Sequence, residues 1–273
     1  MSIDHTDVLP KTETYARPTG SYDIPYDQVS ILIHNLLAER PPQTDGDLIC
    51  YQLDWDDPAS DVARYVERAV FEKYFQNDAE KMREEYGPYE DASRFFLTID
   101  QTTRQPVGAL RIIQDSDVGL KVFNDAEKEE QLAPFSHEAA MRHHGIDSLD
   151  STWEVGTVAV MPRYRDTDAA VQLYRAMYTA AVGNEVEHLV SAIDTRPLKK
   201  MTKYLGIPFV PLMGTKPFEY LGSATTQLVY GYVPEFYPQM SKMAKRKYSI
   251  KSRIAKKALD QLVFGKEDDA IQH

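Results

Sequence analysis

Apolar residues recur along this chain at two intervals, helical and alternating, and the intervals divide it into elements. In 27–38 (DQVSILIHNLLA) they suggest a helix, ended before Pro41-Pro42 because proline disfavours helical backbone at the residue preceding it. This first helix reads as an appendage ahead of the main domain. DLICYQLD (47–54) has strand composition, and Asp61 is placed to cap a helix in which Val62, Tyr65, Val66 and Val70 recur at helical spacing. RFFLTID (94–100) and PVGALRIIQ (106–114) flank a polar turn and predict an antiparallel hairpin.

An acidic, helix-prone stretch follows at 125–142, then a strand at 152–160 (TWEVGTVAV), a helix at 168–182 and a strand at 187–194. PLKKMTKYL predicts a short helix stopped by Gly206, and IPFVPL and TTQLVYGYV supply late strands. The order predicts an α/β (α+β) class: a single mixed, mostly antiparallel central sheet flanked by helices. Residues 1–26 have no apolar periodicity and read as a flexible N-terminal arm, 27–235 as the main domain, and 236–273 as a basic amphipathic helix and tail.

Composition narrows the function classes. With 273 residues and 42% hydrophobic content the chain can bury a sizeable core. No stretch approaches the roughly 20 apolar residues that span a bilayer. Cys50 is the only cysteine, so no internal disulfide forms and the reducing cytoplasm is the expected compartment. A net charge of −11 argues against general nucleic-acid binding, which rests on neutralising phosphates. The tail opposes that charge, with Lys242, Lys245, Arg246, Lys247, Lys251, Arg253, Lys256 and Lys257 and no acid among them.

The chemistry-bearing segment is VAVMPRYRDTDAA (158–170), a strand running through a short loop into a helix. A helix opens with unpartnered N–H groups and partial positive charge, so a phosphate can rest on it. Ala159, Val160, Pro162, Tyr164, Arg165 and Ala170 resemble the motif of the GCN5-related N-acetyltransferase (GNAT) family, with Asp166 and Asp168 where that family carries glycines. WEVGTVAV (153–160) resembles a strand of the acyl-homoserine-lactone synthases, a branch of that fold. Val107-Gly108 with Arg111, Arg68 with Phe71, and the acidic 85–91 loop resemble further motifs of that branch, in the same order. Gly156 and Thr157 replace that branch's Ser and Arg, so the N-acyl amino acid synthases are the better relatives.

The resemblance implies an acyl-CoA N-acyltransferase fold and transfer of an acyl group from acyl-CoA or an acyl carrier protein to the amine of a small molecule such as an amino acid. It implies a donor site at Val158, Val160, Arg163, Arg165, Asp166, Thr167, Asp168 and Ala170, with the Val160 N–H facing the oxyanion. Acyl transfer needs a proton acceptor for the amine. Glu154 is the candidate base, its pKa raised by burial, or else the ion-pair partner of a neighbour such as Arg111. Tyr204 is the candidate acid, or a packing tyrosine. Asp168 is also a candidate helix cap. A non-catalytic binding or regulatory protein of the same fold is the alternative reading, favoured by Asp166 and Asp168; a protein-modifying acetyltransferase is a third.

Other signals recede. Asp54, Asp56, Asp57 and Asp61 lack the glycine and terminal Glu of a calcium loop, and His143-His144 reads as a surface loop pair without a third ligand, so no metal is expected. The basic tail is suited to docking an acidic acyl carrier protein or an anionic membrane surface.

Overall fold

The apolar runs at 94–100 and 106–114 pair as the expected hairpin, and the sheet grows outward from it. The computed structural model describes residues 20–42, 46–132 and 134–244. Among these, the strands are β1 (Leu48–Asp54), β2 (Ser93–Asp100), β3 (Gln105–Ile113), β4 (Thr152–Val160), β5 (His188–Asp194), β6 (Val210–Pro211), β7 (Phe218–Tyr220) and β8 (Ser223–Tyr232). They form one sheet in the order β1-β2-β3-β4-β5-β8-β6, with β7 also on β8, and only β4 and β5 run parallel.

Alternation along the strands sends side chains to two faces. Helices α1 (Tyr26–Glu39), α2 (Ser60–Phe75), α3 (Ala79–Tyr86), α4 (Lys121–Lys128) and α5 (His137–His144) cover one face, over Phe95, Leu97, Ala109, Ile113 and Val190. Helices α6 (Ala169–Gly183) and α8 (Phe236–Ala244) cover the other, over Phe96, Leu110, Ile112, Trp153, Val155 and Leu189. Helix α7 (Thr195–Lys200) follows β5 and continues through a wide turn, Met201–Leu205, to Gly206, whose φ of 69° ends it as expected.

Several elements depart from the sequence reading. Helix α1 is no appendage: Val29, Leu32, Ile33 and Leu36 join the core shared with β1 and α2. Chain assigned to the arm already belongs to the core at Tyr22, which is fully buried; residues 1–19 lie outside the described residues. Asp61 does not cap α2 but sits buried in its first turn, 2.6 Å from Arg64, a pairing that satisfies charge where a cap would satisfy one N–H. The 125–142 stretch is the end of α4 and most of α5, separate helices packed on the sheet. His143 and His144 end α5; His144 stacks on Tyr230 at 4.0 Å, and burial lowers its pKa to about 4. The basic tail at 245–273 lies outside the described residues.

Two irregularities in β4 shape the centre of the sheet. Arg111 opposes Thr157 while Ile112 opposes Val155, so Gly156 is an extra residue, a β-bulge. A Cβ there would meet Ile113 Cδ1 at 3.2 Å, which is tight for any side chain. The bulge resets the alternation, so Glu154 and Thr157, three apart, point to the same face. The parallel pairing of β4 with β5 lasts only from Thr152–His188 to Val155–Ser191. Beyond it β4 stays with β3 and β5 with β8, and a cleft opens between them.

Candidate active site

The cleft leads into a cavity of about 220 Å³ that passes between the two faces of the sheet. On the α2–α4 side its lining includes Glu154, Thr157, Tyr86, Tyr220 and Ser223. On the α6 side it is lined by Tyr174, Met177, Tyr178, Phe209, Phe236 and Met240. The second side is apolar, whereas the first mixes these polar groups with Phe71 and Phe75 of α2.

Where the strands separate, backbone groups lose their ladder partners, and buried ones need replacements. Ser191 donates to the Val155 carbonyl at 2.7 Å, and the Tyr86 hydroxyl to the Gly156 carbonyl at 3.3 Å. The Met161 N–H donates to Val107 of β3 at 2.9 Å. By alternation the N–H groups of Val160 and Val158 point the other way, toward the side β5 has left. They are donors aimed along the cleft.

Glu154 is 4% exposed, and its carboxylate accepts the Val122 N–H of α4 at 2.8 Å. Burial raises its pKa to about 8; the Val122 hydrogen bond and the Lys121 charge oppose that rise without cancelling it. The expected alternative, an ion pair with Arg111, is not formed. Arg111 instead binds Glu67 with two nitrogens, at 3.1 and 2.8 Å, and Glu90 at 2.9 Å. The bulge accounts for this: it places Thr157, not Glu154, against Arg111 and Glu67, to which the Thr157 hydroxyl donates. Lys121 is committed elsewhere, to Glu85 at 2.7 Å, to Asp125 and to the Tyr220 hydroxyl at 3.1 Å.

The structure separates the sequence-derived site residues into two groups. Glu154 and Val158 line the cavity; Val160 at the end of β4, and Arg163, Arg165, Asp166, Thr167, Asp168 and Ala170 in the loop and first turn of α6, do not. Arg163 donates to Gln105 at 3.2 Å, and the Arg165 guanidinium stacks over Tyr74 at 3.8 Å. The N-cap position of α6 is Asp168, but the capping hydrogen bond comes from Thr167, whose hydroxyl accepts the Ala169 N–H at 3.3 Å. No residue of 161–170 has a positive φ, so the carboxylates at 166 and 168 meet no backbone demand for glycine. The Tyr204 side chain lies outside the described residues. Sequence reasoning missed Tyr86, Tyr220 and Tyr174, because their convergence depends on elements far apart in the chain. Asp54, Asp57 and Asp61 each pair with an arginine, Arg94, Arg40 and Arg64.

A mixed sheet whose parallel central pair splays beside a bulged strand, with a helix opening at the strand's end, is the acyl-CoA N-acyltransferase fold of the GNAT acyltransferases. No protein-family model matches the sequence, and no curated protein matches it significantly. FeeM, an N-acyl amino acid synthase from uncultured soil microbes, shares this fold with a TM-score of 0.53 and 20% identity, over 73% of this chain and 98% of its own. The CoA-dependent acyl-homoserine lactone synthase BjaI aligns at 0.45 and 16% identity, over 83% of this chain and 92% of its own. Spermidine N-acetyltransferase from Vibrio cholerae aligns at 0.42 and 12%, over 70% and 96%. At these identities the likeness is one of fold.

Proposed function

We propose that this protein is an N-acyltransferase that moves an acyl group from a coenzyme A or carrier-protein thioester to the amine of a small molecule such as an amino acid. The observation that carries the reading is Glu154: a carboxylate with no guanidinium partner among the described residues, raised to about 8 by burial, facing a cavity that also has an apolar side. A base poised near the working pH suits an amine that must lose a proton as it attacks. The fold shared with FeeM, an N-acyl amino acid synthase, supports the same reading.

In this reading the thioester lies along β4, its carbonyl oxygen near the N–H groups of Val158 and Val160. The amine nitrogen attacks the carbonyl carbon, Glu154 takes an N–H proton directly or through a water, and the backbone donors hold the oxyanion. Collapse of the tetrahedral intermediate breaks the C–S bond. The thiolate takes its proton from solvent or from Tyr204, in the turn after α7. Arg163 and Arg165 meet the donor phosphate at the α6 N-terminus. The acyl chain fills the apolar limb, which leaves the polar limb for the acceptor.

Among the described residues no helix is long and apolar enough to cross a membrane. The cytoplasm, where acyl thioesters occur, is the compartment that fits a lone thiol with a pKa raised to about 12 by burial. Docking of an acyl carrier protein, or contact with an anionic membrane, falls to the basic tail.

The test supplies purified protein with acyl-CoA or acyl carrier protein and a mixture of amino acids, and reads N-acyl products by mass spectrometry. Product that disappears in Glu154→Gln supports the proposal. Stabilisation by a donor without product in the wild type would overturn it in favour of the non-catalytic reading, which Asp166 and Asp168 beside the α6 N-terminus favour.

A further inference from the structure

The apolar limb of the cavity is lined by more than the sheet and α6: Phe236 and Met240 of α8 also face it. Phe236, 4% exposed, anchors that helix. Its ring lies parallel to Tyr178, with centroids 6.2 Å apart and 1° between planes, and edge-on to Phe209 at 5.6 Å. It rests on Gly231 of β8, where a Cβ would come within 2.7 Å of the ring, so the strand is bare at the point where the ring seats.

One helical turn further, Met240 is 5% exposed and also lines the cavity. An unbranched thioether adapts to what it meets, unlike a ring locked between two others. The limb's walls offer little to a polar ligand. The Tyr174 hydroxyl, buried with its pKa raised to about 12, has the Met201 sulfur as partner at 3.9 Å. An aliphatic chain is the ligand that such walls take.

Building on the acyl-transfer reading, we propose that α8 is the end wall of the acyl chamber and that Met240 sets the longest acyl chain the donor can carry. Phe236 fixes the helix, and Met240 presents the surface that the chain's last carbons meet. Each methylene denied a place in such a limb costs about fourfold in kcat/KM. A larger residue at 240 shortens the accepted chain and a smaller one lengthens it, while chemistry at Glu154 is untouched.

The experiment compares wild type, Met240→Ala and Met240→Trp, each as full chain, with saturated acyl-CoAs of increasing length and with acyl carrier protein bearing the same chains. The expected result is a cutoff moved about two carbons upward in Met240→Ala and downward in Met240→Trp. An identical cutoff in all three, with product still formed, overturns the proposal and leaves the acyl-transfer reading standing. If the wild type forms no product with any donor, the acyl-transfer reading falls. The chamber is then decided by thermal stabilisation with the same acyl-CoAs: a chain-length optimum that moves with residue 240 upholds it, and one that does not overturns it.

Discussion

Two carboxylates on the face of the sheet covered by α1–α5, Glu90 and Glu154, are both largely removed from water and shift in opposite directions. Burial alone would raise Glu90, but the guanidiniums of Arg111 and Arg64 outweigh it and hold the group at about 2. Among the described residues Glu154 is met by the backbone N–H groups of Val122 and Lys121 and by the charge of a Lys121 already shared among other partners, so burial prevails and the group rises to about 8. Burial sets the cost, and the distance to a cation decides the sign. Around Glu90, Arg64 and Arg111 bind Asp61, Glu67 and Glu90, with the buried Tyr22 hydroxyl accepting from Arg111 at 2.5 Å. That cluster is a brace, fixing the bulge through Thr157. Glu154, beside it, is left able to take and release a proton.

The comparison breaks most visibly at the brace. Arg111→Met strands Glu67 without its guanidinium and leaves Glu90 with Arg64 alone, and the expected loss is about 3–5 kcal/mol of stability, read by chemical denaturation. A loss under about 1 kcal/mol would mean that Arg111 does not decide the difference.

At Glu154 the expected signs separate function from stability. Glu154→Gln keeps an acceptor for the Val122 N–H and lowers turnover about a hundredfold or more. In the wild type kcat/KM rises with pH through about 8, as the carboxyl ionises, and the variant lacks that limb. Stability moves the other way. Because its folded pKa lies above the ordinary 4.5, Glu154 binds a proton in the folded state that the unfolded chain releases, so its contribution falls as pH rises from 4.5 to about 8. Glu154→Gln is therefore more stable than wild type above pH 8, on the order of a few kcal/mol, and equal melting temperatures there would refute the raised pKa.

The smallest effect is expected at the exposed approach. Arg165→Ala removes a guanidinium stacked on Tyr74, and donor affinity falls severalfold while stability changes by less than about 0.5 kcal/mol. Unchanged donor affinity would take the phosphate-binding role away from Arg165.

Much of the fold was legible because local patterns sufficed. The β2–β3 hairpin, β4, α6 and the Gly206 stop carry their periodicity and punctuation in a few residues each. The short elements β6 and β7 and the break between α4 and α5 were not, since such segments are held by what they pack on. Glu154 was legible as a candidate, being an acid in the middle of an apolar strand. Its partner was not. One extra residue at Gly156 brings Thr157, rather than Glu154, opposite Arg111, and no local pattern announces such a bulge.

The sequence by itself determined a mixed sheet with helices on it, an acid in the strand that leads into α6, and two carboxylates where glycines stand in similar proteins. Only the tertiary structure decided that no guanidinium among the described residues pairs with Glu154, that β4 and β5 part after four residue pairs, and that Phe236 and Met240 of α8 line the same cavity. Periodicity is written between neighbours in the chain, whereas a pKa and a cavity depend on which distant groups fold to within a few ångströms of one another.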